Sequence, residues 1–184
     1  MENTYKPGFL NGKVAVITGG HGGMLFEVAR AYLKFGASVA ILARKEDKIN
    51  EAVQKLKTDT GSDKIIGVKC DVREVKIVEE AIDKVLNEFK KIDILVNGAA
   101  GNFLASLDSL SVNAFRTVMN IDLLGTFIVT KVVYTKWMKQ HGGVIINFSA
   151  GLYQNGVALQ SHAGAAKAGV DALTRHFATE LVRF

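Results

Sequence analysis

The sequence is poor in cysteine and proline, and each scarcity narrows what the chain can be. Cys70 is its single cysteine, so no internal disulfide can form, and a reducing, intracellular compartment is expected. The one proline, Pro7, lies near the start. Residues 1–13 also lack the long apolar run of a signal peptide or a membrane helix. We therefore expect a domain that is not inserted in a membrane.

Basic blocks are also absent, although basic residues are in excess. Lysine and arginine number 23 against 18 acidic residues, a formal charge of +5. These charges are scattered among acidic neighbours, as in residues 45–57 and 79–91, which is typical of solvated helix faces and argues against nucleic-acid binding. The excess still suits an anionic ligand. With 48% hydrophobic residues in 184, the chain can form one domain, residues 1–184, around one core.

Two patterns alternate along the whole chain. Short apolar, β-branched runs predict strands at residues 13–18, 38–42, 65–70, 92–97 and 143–149. Between and after them, apolar residues recur at spacings of three and four, which predicts helices at residues 24–35, 47–57, 75–89, 113–139 and 162–182. Strands that alternate with helices pair in parallel. The predicted fold is α/β: a Rossmann-type doubly wound parallel sheet in three α/β/α layers.

A glycine-rich turn follows the first strand and leads into a helix, the place where a dinucleotide's pyrophosphate rests on backbone N–H groups. Gly19, His21, Gly22, Gly23 and Met24 are the candidate residues for this contact. A plain tight connection is the alternative. The spacing T-G-x-x-x-G-x-L resembles the T-G-x-x-x-G-x-G motif of the short-chain dehydrogenase/reductase family, with Leu25 in place of the last glycine. We expect Leu25 to push the helix outward or to force the turn to adjust.

Two later strand ends bear on the choice of cofactor. An NAD enzyme places an acidic residue after the second strand, but here Arg44 follows, which suits the 2′-phosphate of NADP. An ordinary basic residue at a helix start is the alternative. By resemblance to the family, Asp71 and Val72 form the adenine pocket, although Asp71 could instead cap the helix that begins near Arg73.

The family resemblance continues at the catalytic positions, where the chain departs from the usual set. The loop from Asn97 through Ala99 resembles the family's N-N-A-G, which lines the cofactor pocket, and Lys167 stands where the family's Tyr-x-x-x-Lys places its lysine. The tyrosine position is Ala163, the serine position is Ala150, and the helix asparagine is Asp122.

The surrounding segments resemble the 2,4-dienoyl-CoA reductases of this family, in which an aspartate and the lysine replace the tyrosine. They are residues 98–103, 115–127, 141–150 and 160–176. The resemblance implies that Asp122 positions a proton-donating water, and that Lys167 binds the nicotinamide ribose of NADPH and stabilises a dienolate. A conjugated thioester can be reduced without a tyrosine acid, because no carbonyl oxygen has to become an alcohol.

The resemblance also implies an acyl-CoA site, with Arg73 near the anionic CoA and Phe103 against the acyl chain, and with Ser111 and Asn113 close by. Each has a simpler interpretation: Arg73 as a solvated residue at a helix start, Phe103 as core, Ser111 as a helix N-cap. The four histidines, His21, His141, His162 and His176, show no spacing typical of a metal site, and none is expected.

The last residues lie in a predicted helix without a stop signal, whereas the family continues with a sixth strand, a nicotinamide-contacting loop and a seventh strand. We therefore expect a C-terminally incomplete chain whose fifth strand lies at a sheet edge. The resemblance implies a homo-oligomer, dimer or tetramer, and a peroxisomal location, with the cytoplasm as the alternative. Two other functions stay open: another short-chain reductase, such as a trans-2-enoyl-CoA reductase, and a catalytically silent nucleotide-binding protein.

Overall fold

A five-stranded parallel sheet forms the centre of the molecule, in a computed structural model that describes residue 6 and residues 8–181. Its strand order is β3-β2-β1-β4-β5. The bounds are β1 Val14–Thr18, β2 Ser38–Ala43, β3 Ile65–Lys69, β4 Ile94–Asn97 and β5 Val144–Asn147. All four neighbouring pairs run parallel, as between Val14 and Ser38 on β1 and β2. The predicted doubly wound sheet is thereby confirmed.

Helices cover both faces of this sheet. They are α1 Gly23–Lys34, α2 Glu46–Thr60, α3 Val75–Phe89, α4 Val112–His141 and α5 Ser161–Leu181. One core cluster joins α1 and α2 to the sheet, and a second joins α3 and α4 to its opposite face. Helix α5 packs on α4 and on β5. The three predicted layers are therefore present. Pro7 and the predicted end of the last helix at Val182 lie outside the described residues.

The long helix α4 is not a regular α-helix throughout. Ser111 caps its start, accepting a hydrogen bond from the Ala114 amide at 3.1 Å, as the simpler interpretation of Ser111 predicts. Two segments, Met119–Leu124 and Tyr134–Met138, are π-helical, which spacing alone did not predict. By length and mean hydropathy, 1.3, α4 would also suffice to cross a membrane. Of that apolar window 56% is buried inside the molecule, as in the core helix of a globular domain.

Strand β5 lies at one edge of the sheet, as expected. It pairs with β4 on one side only, and Val144 and Ile146 are 55% and 38% exposed. Strands β1, β2 and β4 are almost wholly buried, whereas β3, at the opposite edge of the sheet, exposes Gly67 and Lys69. Within the described residues, an apolar strand with unpaired backbone groups along one edge is therefore exposed at the surface.

Candidate active site

A crevice opens at the carboxyl ends of β1 to β4, beside the neighbouring pair β1 and β4. In a sheet of this order, this is the point at which nucleotides bind. The crevice is open to solvent and is lined by Gly19, His21, Leu42, Ala43, Arg44, Cys70, Asp71, Val72, Ala99, Ala100 and Ile121. Six of the residues predicted for the cofactor, Gly19, His21, Arg44, Asp71, Val72 and Ala99, are thus brought together here.

The glycine-rich turn leaves the start of α1 open to an anion. Gly22 is the N-cap and offers no side-chain cap, so the first amides of α1 are free of such a bond. No atom lies within 4 Å of where a Cβ of Gly22 or Gly23 would stand, and Gly23 has a φ of +56° that favours glycine. Met24, in the first turn, is exposed. A phosphate could approach this backbone closely.

Thr18 fixes this turn to the neighbouring strand end. Its hydroxyl accepts hydrogen bonds from the amides of Gly98 and Ala99, at 3.0 and 3.1 Å, and the residue is 1% exposed. The first glycine of the turn, Gly19, comes so close to the same loop that a Cβ there would lie 3.0 Å from the Gly98 carbonyl. The sequence motif includes Thr18, but it gives no sign of this role.

Leu25 is accommodated by a second glycine. A Cβ on Gly98 would lie 2.5 Å from Leu25 Cγ, so the leucine side chain fills the space that any other residue at position 98 would need. Leu25 is buried in the core cluster of α1 and α2, and α1 still begins at Gly23, next to the predicted start at Met24. The chain thus lacks the family's glycine at position 25, and it has instead a glycine at position 98, in the loop after β4, where the leucine needs the space.

Asn97 is buried in a hydrogen-bonded ladder between strand ends. Its amide donates to Thr130 Oγ1 on α4 and to Asn147 Oδ1 on β5, both at 2.9 Å, and Asn147 donates to Thr174 on α5. The side-chain oxygen of Asn97, Oδ1, is buried and has no hydrogen-bond partner within residues 6 and 8–181. The Asn97 side chain therefore joins the end of β4 to α4 and to β5, and its role toward a cofactor stays a prediction.

Asp71 is paired with Arg73 at the rim of the crevice. The Arg73 guanidinium donates through Nε and Nη2, at 2.9 and 2.5 Å. This pairing holds the pKa of Asp71 below its ordinary value, against the effect of burial, and the nearby Arg44 acts in the same direction. Asp71 also accepts the Arg73 amide at 3.1 Å, but the N-cap of α3 is Glu74, so the alternative that Asp71 caps this helix is wrong.

Asp122 and Lys167, far apart in sequence, meet beside the crevice. Asp122 lies in the first π-helical segment of α4 and is 1% exposed. Its Oδ2 lies 3.3 Å from Lys167 Nζ, and its Oδ1 accepts the Gly101 amide at 2.7 Å. Burial raises the pKa of Asp122, although the Gly101 amide and Lys167 oppose this effect. The two predicted catalytic residues thus form a buried ion pair.

Lys167 is held by a second contact on the sheet. Its ammonium donates to the Phe148 carbonyl at 3.0 Å, just beyond β5. Ala163, at the tyrosine position, is buried on the same helix, and Ala150, at the serine position, has no side chain that can take part in proton transfer. The neighbouring Ser149 hydroxyl donates to the Lys167 carbonyl at 3.3 Å. Of these four family positions, only those of Asp122 and Lys167 therefore carry ionisable side chains.

His162, which the sequence singled out only as lacking metal-ligand spacing, is a fully buried neighbour of this pair. Its Nε2 lies 3.0 Å from the Phe103 carbonyl, and its ring stacks on the Phe103 ring with 4.4 Å between centroids. Phe103 itself is 41% exposed, so the interpretation of Phe103 as a core residue is wrong. Histidine in a small-residue helix is a weak signal, and nothing in its spacing shows that it faces Phe103.

The remaining predicted residues lie outside the crevice lining. Ser111 and Asn113 are exposed at the start of α4, and Arg73 lies at the rim. Cys70 lines the crevice, but its thiol is buried, and this burial raises its pKa to about 12. Among residue 6 and residues 8–181, no three His, Cys, Asp or Glu side chains group as metal ligands do.

Comparison with known proteins identifies the family. The family model described as short chain dehydrogenase matches residues 13–184. The chain belongs to the short-chain dehydrogenase family. The peroxisomal 2,4-dienoyl-CoA reductase [(3E)-enoyl-CoA-producing] of Rattus norvegicus is 49% identical over 179 residues, 97% of this chain and 61% of that protein. The chain spans 58–61% of the length of the curated relatives of that name in four vertebrates.

Solved structures of short-chain dehydrogenases agree with this assignment. A citronellol catabolism dehydrogenase of Pseudomonas aeruginosa superposes with a TM-score of 0.91 at 31% identity, over 98% of this chain and 73% of that one. A xylitol dehydrogenase solved with NAD+ bound gives a TM-score of 0.88 at 27% identity, over 94% of this chain and 66% of that one. The chain therefore has the fold of a short-chain dehydrogenase, and the crevice described above is its candidate nucleotide site.

Proposed function

We propose that this chain is the NADP-binding domain of a reductase that converts 2,4-dienoyl-CoA esters to trans-3-enoyl-CoA with NADPH, in the oxidation of unsaturated fatty acids. The observation that carries the proposal is the buried Asp122–Lys167 pair at the positions where the family has asparagine and Tyr-x-x-x-Lys. The relatives named 2,4-dienoyl-CoA reductases, at 47–49% identity, support the same substrate class.

The residues around the crevice fit NADPH. The uncapped start of α1 and the open space over Gly22 and Gly23 suit a pyrophosphate, with Gly19, His21 and Met24 beside it. Asp71, Val72 and Ala99 line the space for the adenosine, and the exposed Arg44 would hold the 2′-phosphate. Lys167 and the loop that begins at Asn97 would hold the nicotinamide ribose.

In the proposed reaction, Asp122 and Lys167 provide for the proton and the charge. Bound NADPH would supply a hydride to the far end of the diene. Electrons would then move toward the thioester carbonyl, and the Lys167 ammonium, which lies beside Asp122, would stabilise the developing negative charge. The carbon next to the carbonyl must gain a proton, and Asp122 would hold the water that donates it. A carboxyl with a raised pKa suits this role.

The acyl-CoA would enter from the side of Phe103. This ring is 41% exposed, and it presents an apolar face to an acyl chain next to the crevice. Arg73 would meet the anionic CoA at the rim while it stays close to Asp71. Ser111 and Asn113 are exposed at the start of α4 and would form the outer part of the same site.

Location and assembly follow from the relatives and from one surface. The relatives are named peroxisomal, and we propose the peroxisome for this protein.

We also propose a homo-oligomer, dimer or tetramer, that associates through its long helices. Val75 and Phe127, on α3 and α4, are exposed large apolar residues that line a groove between these helices.

A second candidate is a catalytically silent nucleotide-binding protein. Ala163 favours it, because this buried alanine removes the proton-donating tyrosine of the family. The silent protein differs from the proposed reductase only in that it would not oxidise NADPH with an ester substrate. Both bind NADPH.

Absorbance of NADPH, followed after addition of a trans-2,trans-4-dienoyl-CoA, tests the two candidates. The protein should be produced with any natural residues that follow Phe184. We expect oxidation of NADPH with the dienoyl ester and much less with the matched trans-2-enoyl ester. Oxidation with the trans-2-enoyl ester alone would point to another short-chain reductase. NADPH binding without turnover of either ester would leave the silent protein as the function.

The variant Asp122→Ala tests the catalytic assignment. Loss of a general acid–base group lowers turnover by about 10²- to 10⁴-fold, and we expect kcat to fall in this range while the Kd for NADPH stays within about twofold. Fluorescence titration with NADPH gives the Kd, and the absorbance assay gives kcat. A parallel loss of binding and turnover would make Asp122 a structural residue instead.

A further inference from the structure

The loop after β4 is held from both of the long helices. At Gly101, its amide donates to Asp122 Oδ1 at 2.7 Å, and Asp122 belongs to α4. Two residues later, the Phe103 carbonyl accepts from His162 Nε2 at 3.0 Å, and His162 belongs to the first turn of α5. One short segment, 101–103, therefore connects the proposed catalytic carboxylate to a buried histidine.

The His162 ring donates its hydrogen bond to the Phe103 carbonyl. A carbonyl can only accept, so Nε2 must carry the hydrogen. Nδ1 is buried and has no hydrogen-bond partner among residue 6 and residues 8–181, which leaves the Phe103 carbonyl as the one bond to the ring in that part of the chain. A fully buried polar ring with a single bond is a poor choice for packing alone, because an apolar side chain avoids the cost of the unpaired nitrogen.

Together with the Asp122–Lys167 pair, these contacts form a closed ring of interactions around the proposed active site. Lys167 lies on the same helix as His162 and pairs with Asp122 at 3.3 Å. From Lys167 on α5 the contacts lead to Asp122 and from Asp122 to the Gly101 amide. The loop then continues to Phe103, whose carbonyl is bonded to His162, again on α5. A change at one contact must therefore be taken up by the others.

We propose that His162 is a positioning residue: by holding the Phe103 carbonyl, it fixes the Gly101 amide against Asp122 and so holds this carboxylate in place beside Lys167. The inference rests on the proposed function, in which this pair carries the reaction. The same contact orients the Phe103 ring, which stacks on His162 and forms the wall proposed for the acyl chain. A shift of about 1 Å in a catalytic group lowers turnover on the order of 10²-fold, so a remote bond of this kind matters for rate.

Two amide side chains make a matched test. The nitrogen of glutamine reaches about as far as histidine Nε2, whereas asparagine is shorter and ends near the position of Nδ1. We expect His162→Gln to keep kcat within about threefold of the wild type and His162→Asn to lower it on the order of 10²-fold, with an unchanged Kd for NADPH. His162→Leu, which keeps an apolar side chain in the buried site, replaces the asparagine variant if thermal unfolding shows that the latter does not fold.

Hydrogen exchange provides a readout that needs no turnover. The peptide that covers residues 98–104 should exchange faster in His162→Asn than in the wild type or in His162→Gln, while peptides from the β1–β2 core stay unchanged. Equal exchange and equal kcat in all three proteins would overturn the proposal, and so would equal losses in both variants. If the wild type oxidises no NADPH with any ester, the proposed function fails, and the exchange of the loop still decides whether His162 holds it.

Discussion

At the scale of single residues, Asp122 shows what burial does to a charge. With 1% of its surface exposed, the carboxylate loses most of its hydration, and this raises its pKa although Lys167 and the Gly101 amide favour the charged form. A raised pKa means that the folded protein binds this proton more tightly than the unfolded chain does. The stabilising effect is complete below the ordinary value of 3.8, and it is lost as the pH rises through the raised pKa.

This pKa predicts a pH dependence of stability that a neutral variant lacks. The free energy of unfolding of the wild type, minus that of Asp122→Asn, should fall as the pH rises from 3.8 to above the raised pKa, and should then level off. Urea unfolding of both proteins at a series of pH values measures the difference, in which the other carboxylates cancel. A difference that grows with pH would mean that Lys167 lowers the pKa more than burial raises it.

Arg44 gives a prediction about cofactor choice. The residue is exposed at the end of β2, where a 2′-phosphate would lie, and no acidic residue precedes it on that strand. Arg44→Ala should weaken NADPH binding roughly tenfold or more and leave NADH binding nearly unchanged, because charge-assisted bonds to the phosphate are lost. Lys45→Ala, at the neighbouring exposed lysine, is the matched control. Equal effects on both nucleotides would remove Arg44 from the phosphate site.

At the scale of elements, helix α1 and the loop after β4 are fitted to each other through Leu25 and Gly98. The close approach of the leucine to the missing Cβ makes the two positions interdependent. A side chain can be added on one side only if space is made on the other.

We expect Gly98→Ala to destabilise the protein by about 1–3 kcal/mol, as overpacking of a close contact does. In a Leu25→Ala background the same change should cost much less, because the space is then free. Denaturant unfolding of the four proteins forms a double-mutant cycle. Additive effects of the two substitutions would show that the leucine moves aside without strain.

Sequence periodicity located the elements because each has a buried face of regular spacing. Within the described residues, the bounds of all five strands and five helices lie within three residues of the predicted ones, as for β4, which begins at Ile94 rather than residue 92. The contacts within the candidate site were harder to predict from the sequence. Asp122 and Lys167 followed from motif positions, but the roles of Thr18, Gly98 and His162 depend on contacts between distant segments, which no local pattern encodes. The π-helical segments of α4 also escape a method that assumes a constant period.

At the scale of the whole molecule, the sheet is protected unevenly. Its central strands are covered by helices on both faces, whereas β5 leaves Val144 and Ile146 exposed beside a free edge. Unpaired strand edges with apolar side chains tend to join other chains. The solubility of these 184 residues should therefore depend on one strand more than on net charge.

A lysine on that strand should reduce self-association. We expect Val144→Lys to lower the fraction of large species in sedimentation velocity at a given concentration, because a charge on an edge strand opposes pairing with another strand. Val112→Lys is the matched control, since Val112 is 74% exposed but lies at the start of a helix. If both variants reduce association equally, general charge rather than the strand edge is responsible.

The π-helical segment Met119–Leu124 has a consequence for the gene as well as for the fold. A π turn holds one residue more than an α turn, so loss of a single codon here would leave a regular α-helix with good hydrogen bonds. The two halves of α4 would then be rotated by about 100° relative to each other. Either Asp122 would turn away from Lys167, or the apolar side chains from Ile128 to Val133 would leave the sheet. Insertions and deletions should therefore be tolerated in the loops of this protein long before they are tolerated in this helical turn.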